Sequence, residues 1–124
     1  MARTIVLAED NRELRELLAA ALERDGYTVV QVETGTQLIA AVGTLVVSEE
    51  APSLIITDVR MPNASGFDAA RVLRGGGLAI PMIFMTAFGD AWSASKAADF
   101  GAVLLDKPLR IEALRNAVRH VLAR

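Results

Sequence analysis

Residues 54–62 read Leu-Ile-Ile-Thr-Asp-Val-Arg-Met-Pro. An apolar run stops on a carboxylate, Asp58, and Pro62 fixes the next turn. A short apolar run bounded by turn residues reads as a fully buried strand. An acid placed where that run stops is held by a rigid element at the rim of a core.

The rest of the chain repeats this pattern. Thr4–Ala8, Thr28–Val32, Leu54–Thr57, Pro81–Met85 and Val103–Leu105 read as strands. Helical spacing lies between them. Asn11 to Asp25 carries Leu14, Leu17, Leu18, Ala21 and Leu22 as an inward stripe, with Asp10 or Asn11 to cap it and Gly26 to end it. Thr34 opens a helix to about Val47, with Leu38, Ile39, Val42 and Leu45 inward. Gly66–Arg74 is a short helix ended by Gly75, Gly76 and Gly77. Ala91–Phe100 is a weaker helix, and Arg110–Ala123 closes the chain with Ile111, Leu114, Val118, Val121 and Leu122 on one side. Strands separated by helices imply parallel pairing with right-handed crossovers. Strands apolar throughout imply helices on both faces. The expected fold is an α/β three-layer sandwich forming one domain over residues 1–124.

Composition narrows the function. At 124 residues and 52% apolar content the chain can bury a core without staples. It has no cysteine, which excludes disulfides and thiolate metal sites and suits a cytoplasmic protein. No apolar run has the length of a membrane span and no secretory signal opens the chain. A net charge of −2 gives no electrostatic footprint for direct nucleic-acid contact.

The polar residues then fall in register. Glu9 and Asp10 follow the first strand, Asp58 the third, Thr86 the fourth and Lys107 the fifth. In an open parallel sheet the carboxyl ends of the strands share one edge, where ligands bind. Three carboxylates gathered there want a cation, and oxygen ligands without His or Cys suit Mg²⁺ or Mn²⁺. Lys107 would supply a point charge beside a phosphate, and Thr86 a hydroxyl donor to a phosphoryl oxygen. Asp58 is placed to act as the attacking carboxylate.

In these residues the chain resembles the receiver domains of two-component response regulators. The matching pieces are IVLAEDN with Glu9 and Asp10, LIITDVRMPNASGFD around Asp58, IFMTA with Thr86, and LLDKP with Lys107 and Pro108. The resemblance runs from Arg3 into the last helix. It implies a flavodoxin-like sheet of order 2-1-3-4-5 with five flanking helices. It implies that Asp58 accepts a phosphoryl group from a phosphohistidine on a sensor histidine kinase or histidine phosphotransfer protein. It implies Mg²⁺ held by Glu9, Asp10, Asp58 and the main-chain carbonyl of Arg60, with Glu9 acting through water. Thr86 and Lys107 would bind the phosphoryl group, Lys107–Pro108 would be cis, and Met61–Pro62 would shape the loop. Phosphorylation would switch the face made by helix four, strand five and helix five. Homodimerisation through the last helices is common in the family.

The chain departs from the family at Leu104, where many receivers carry Tyr or Phe three residues before the lysine, and GAVLLDKP is one residue shorter than the common spacing. Without that ring, switching is expected to run through the loop Ala87–Asp90 and the helix after it, with Phe88 and Trp92 as nearby bulky groups. Arg60 and Phe88 flank the expected route of the hydrolytic water, which implies a long-lived acyl phosphate.

Each assignment has a plainer counterpart. Asp58 alone reads as a turn cap, Glu9 and Asp10 as caps of the first helix, and Thr86 as a strand residue. The four pieces in this order outweigh those readings. His120, near the end of the last helix, reads as a solvated or dipole-favoured surface residue. Trp92 reads as packing or surface. The triple glycine lacks the GK[ST] of a phosphate loop. The alternative function is a receiver fold that binds partners independently of phosphorylation. An enzyme acting on external phosphate esters is disfavoured, because Val59 and Arg60 stand where a second acid would serve as proton donor.

Overall fold

The structure is a computed structural model and describes residues 2–87 and 91–123. Five strands and five helices alternate: β1 (Thr4–Ala8), α1 (Arg12–Arg24), β2 (Thr28–Val32), α2 (Gly35–Val47), β3 (Leu54–Asp58), α3 (Gly66–Gly75), β4 (Met82–Thr86), α4 (Ala91–Asp99), β5 (Val103–Asp106) and α5 (Ile111–Leu122). All pairings are parallel and the sheet order is β2-β1-β3-β4-β5, the flavodoxin-like arrangement that the resemblance implies.

Alternation along the strands divides the core in two. Val6, Ala8, Ile55, Met82 and Phe84 face one side and pack with Leu38 and Val42 of α2, Phe67, Ala70 and Leu73 of α3, and Ala97 of α4. Ile5, Leu7, Leu54, Ile56, Ile83 and Met85 face the other and pack with Leu18 and Leu22 of α1 and Leu114, Val118 and Val121 of α5. Both faces of the central strands are therefore dry, which is why these strands read as unbroken apolar runs. The edge strands β2 and β5 are less covered: β2 keeps Thr28 and Gln31 exposed, and β5 leaves Asp106 exposed.

Local chemistry sets the helix starts. Asn11 Oδ1 accepts from the Leu14 amide to cap α1, and Thr34 Oγ1 accepts from the Gln37 amide to cap α2. Ser65 and Asp68 form a reciprocal capping box at α3.

Two expectations are corrected. Asp58 and Thr86 do not come after their strands but are the last residues of β3 and β4. The ladder continues past them, with Val59 N donating to Met85 O and Lys107 N to Thr86 O. The inward stripe of α1 is also rotated. Arg15, Leu18, Ala19 and Leu22 are buried, whereas Leu17 is 57% exposed. Among the described residues, no helix is long and apolar enough to cross a membrane.

Candidate functional site at the carboxyl edge of the sheet

The ends of β1, β3, β4 and β5 bring the sequence-predicted residues to one place. Glu9 lies just past β1 and is fully buried. Its backbone N–H donates to Val32 O, so the residue is gripped by the end of β2. Its Oε2 accepts from the Asn11 amide at 3.0 Å. Asp58 is 6% exposed, and its Oδ1 accepts from the Arg60 amide at 3.3 Å. Asp10 is exposed on the rim. Carboxylate oxygens of Glu9, Asp10 and Asp58 lie within 4.8 Å of one another.

Lys107 reaches into this cluster. Its Nζ donates to Glu9 Oε1 at 2.6 Å and to Asp58 Oδ2 at 2.8 Å. The Lys107–Pro108 peptide is cis, as expected. Thr86 is 2% exposed and sits beside the same edge, because its carbonyl accepts from the Lys107 amide at 2.8 Å and its neighbour Met85 pairs with Asp58. Arg60 is exposed on the turn after β3.

The electrostatics derive from burial. Burial pushes the Glu9 carboxyl above the usual glutamate value; Lys107 and the Asn11 amide pull it down, and the neighbouring Asp58 and Asp10 push it up further. Burial alone would lower Lys107, but its hydrogen bonds to Asp58 and Glu9 outweigh this, and its pKa lies above the ordinary lysine value. Lys107 is thus a fixed ammonium that balances only part of the negative charge of three carboxylates. An oxygen-only donor set with residual negative charge fits a hard divalent cation.

The loop after Asp58 is tightly packed. The Gly66 amide donates to Val59 O at 2.9 Å, closing the turn. Thr36 Oγ1 donates to Asn63 O at 2.7 Å, tying the loop to the start of α2. Asn63 and Ala64 have φ of 56° and 102°, in the left-handed region. Met61 is half-buried, and Thr57 Oγ1 donates to its Sδ at 3.9 Å.

Other sequence expectations also find their places. Leu104 is half-buried and packs with the Phe84 side of the core. Rings gather near it: Phe67, Phe84 and Phe100 have centroids 4.6–6.3 Å apart, and the exposed Trp92 stands edge-on to Phe67 at 5.7 Å. His120 is exposed on α5. Phe88, Gly89 and Asp90 lie outside the described residues, and with them the expected switch loop and the expected shield of the hydrolytic water.

Sequence reading missed Arg15. It is 7% exposed and donates from Nη1 to the Glu9 carbonyl at 2.9 Å. The signal was present in its spacing, three residues before Leu18 and seven before Leu22, on the buried stripe.

The chain matches the family model described as the response regulator receiver domain over residues 5–119. It is 36% identical over 124 residues to the response regulator protein FleR of Pseudomonas aeruginosa, covering 98% of this chain and 25% of that protein. It is 35% identical over 119 residues to the response regulator protein TmoT of Ectopseudomonas mendocina, covering 95% of this chain and 52% of that protein. The chain therefore spans about a quarter to a half of the length of these curated relatives. Among solved structures, the signal receiver domain of a signal transduction histidine kinase from Syntrophus aciditrophicus superposes with a TM-score of 0.80 at 30% identity, covering 98% of this chain and 91% of that one. The chemotaxis response regulator CheY4 of Vibrio cholerae gives a TM-score of 0.84 at 23% identity over 98% and 100% of the two chains, a likeness of fold. The strand order, the acid-and-lysine edge and a family match across nearly the whole sequence agree: this chain belongs to the response regulator receiver domains, signalling modules of two-component systems.

Proposed function

We propose that the chain is one receiver domain that works in the cytoplasm and takes a phosphoryl group onto Asp58 from a phosphohistidine. The donor is a sensor histidine kinase or a histidine phosphotransfer protein. The observation that carries this reading is the double contact of Lys107 Nζ with Glu9 and Asp58, inside a cluster of three close carboxylates. A bare acidic rim would not need a half-buried ammonium, whereas a site for a phosphoryl group needs cations aimed at one carboxylate.

Glu9, Asp10 and Asp58, with the Arg60 carbonyl, would hold Mg²⁺ or Mn²⁺. When bound, the ion supplies neutralisation of the phosphoryl oxygens. The chain's own residues do the rest. A carboxylate oxygen of Asp58 forms the new O–P bond as the P–N bond of the donor breaks. The electron pair of that bond returns to the imidazole, which takes its proton from solvent. Lys107 pairs with a phosphoryl oxygen in place of a carboxylate, and the Thr86 hydroxyl donates to another. Phosphoryl transfer needs positioning and charge neutralisation more than covalent help, and fixed groups on strand ends provide both.

The added charge at Asp58 then acts on the groups around it. Lys107 is drawn to the phosphoryl group, which loosens its hold on Glu9. Helix α4, β5 and α5 would carry the change to a partner. Leu104 gives no ring to turn inward, so the change is assigned to α4 and the segment 87–90 before it. Contact with nucleic acid belongs to other parts of a regulator, and homodimerisation through the last helices fits the same face.

The test is incubation of the protein with a small phosphodonor, with and without Mg²⁺, and then intact mass. One phosphoryl adduct that requires Mg²⁺ and is lost in Asp58→Asn is expected. No adduct under conditions that preserve acyl phosphates would contradict the reading and favour a phosphorylation-independent interaction module.

A further inference from the structure

Arg15 is the one buried arginine among the described residues. A guanidinium taken from water is costly unless acceptors meet it. Here they come from two elements. Nη1 donates to the Glu9 carbonyl at 2.9 Å, Nε to Gln31 Oε1 at 3.3 Å, and Nη2 to Glu33 Oε1 at 3.3 Å. Gln31 is in β2 and Glu33 lies just past its end, so a helix residue is braced on the end of the edge strand.

The carbonyl it holds is a special one. The pairing of β1 with β3 ends at Ala8 and Thr57, so the Glu9 carbonyl lies past that ladder. A strand-end carbonyl of this kind ordinarily turns to water. This one belongs to the peptide joining Glu9 to Asp10, and its orientation sets the directions in which both carboxylates leave the backbone. The Asn11 amide fixes the Glu9 carboxylate from the other side.

We propose that Arg15 is a positioning residue for the acid pair: its guanidinium, braced on Gln31 and Glu33, fixes the Glu9–Asp10 peptide and preorganises both carboxylates for a divalent cation. The inference rests on the metal-dependent reading above. Arginine suits the role because a rigid fork serves three acceptors in set directions, whereas an ammonium is a point charge on a flexible stem. Arg15 touches none of the reacting atoms. It acts through the backbone, as groups beyond the ligands do in metal sites.

The experiment is calorimetric titration of MgCl₂ into the full chain, with denaturant unfolding in EDTA as the check of fold. Arg15→Met is expected to weaken Mg²⁺ binding by about tenfold or more, the range for loss of an outer partner. Its phosphorylation from a small donor should be slow at low Mg²⁺ and recover at saturating Mg²⁺, which a merely structural role would not produce. Arg15→Lys should fall between it and the wild type. A folded Arg15→Met with unchanged Mg²⁺ affinity would overturn the proposal. If that variant does not fold, Gln31→Ala decides, because Gln31 is exposed and uncharged: weaker Mg²⁺ binding supports the brace and unchanged binding overturns it. A wild type that binds no Mg²⁺ would remove the metal-dependent reading itself, an outcome distinct from both.

Discussion

Gly66 stands so close to Asp58 that a Cβ on it would lie 2.4 Å from the Asp58 carbonyl oxygen. The first turn of α3 therefore rests directly on the backbone of the proposed phosphoacceptor. Gly35 meets the same loop from α2, where a Cβ would lie 2.2 Å from the Ala64 carbonyl oxygen. Two glycines from two helices let the segment after β3 fold back against the site.

Gly66→Ala should force backbone apart beside Asp58, since the obstructing atom is main chain and cannot rotate away. Overpacking of this kind costs about 1–3 kcal/mol. Urea unfolding should show that loss, and Mg²⁺ binding should weaken with it. A variant as stable as the wild type would show that the loop yields freely and does not hold Asp58 in place.

Lys107→Met should leave the buried Glu9 carboxylate without its ammonium partner. An orphaned buried polar group costs about 1–3 kcal/mol, more if charged. Burial already raises the Glu9 pKa, so the carboxyl can escape the penalty by taking a proton. A raised folded-state pKa gives stability that is present below the unfolded value and is lost as pH rises through the folded one. The variant's deficit in EDTA should therefore be large at pH 7 and shrink as pH falls toward the glutamate range. Equal deficits at both pH values would count against a charged Glu9–Lys107 pair.

Asp25 and Arg115 join the end of α1 to α5 through two hydrogen bonds, Nε to Oδ2 at 2.8 Å and Nη2 to Oδ1 at 2.7 Å. The Arg115 guanidinium holds the Asp25 carboxyl below its ordinary value of 3.8. The depressed pKa gives stability that is present above the ordinary aspartate range and is lost as pH falls through the lowered value. Asp25→Asn should be less stable than the wild type at neutral pH, and the two should converge in acid. The pair lies at the surface and is only half-buried, so added salt should narrow the gap too.

Mg²⁺ should stabilise the domain by mass action, by about 2.7 kcal/mol when its concentration is a hundred times the dissociation constant. Because burial raises the Glu9 pKa, protons compete with the ion, and the Mg²⁺-induced rise in Tm should diminish as pH falls toward that group. A pH-independent rise would show that Glu9 is not among the groups that gain from the ion.

Most of the fold and the acid-and-lysine core of the site were legible in the sequence, for one physical reason. A parallel sheet buried on both faces must be written in short apolar runs, and the residue at the end of each run lands on one edge. Glu9, Asp58, Thr86 and Lys107 could be placed by that rule alone. Arg15 could not: its spacing puts it on the buried stripe of α1, but a charged residue in a helix is usually solvated, and its acceptors are a backbone carbonyl and two side chains that no pattern marks. Leu17 erred the other way: the apolar residues of α1 cover a wider arc than its core contact, and the surplus faces water. The close approaches of Gly35 to Ala64 and of Gly66 to Asp58 are also three-dimensional facts, since each arises only when the segment after β3 folds back.

The central claim is that Asp58, and no other acid of the cluster, carries the phosphoryl group. Borohydride reduces an acyl phosphate to the alcohol, so reduction of the phosphorylated protein and subsequent peptide mapping read the site directly. Homoserine at position 58, dependent on Mg²⁺ and on the phosphodonor, is the predicted result. Reduction at Glu9 or Asp10 instead, or no reduced acid in the peptides covering the ends of β1 and β3, would contradict it.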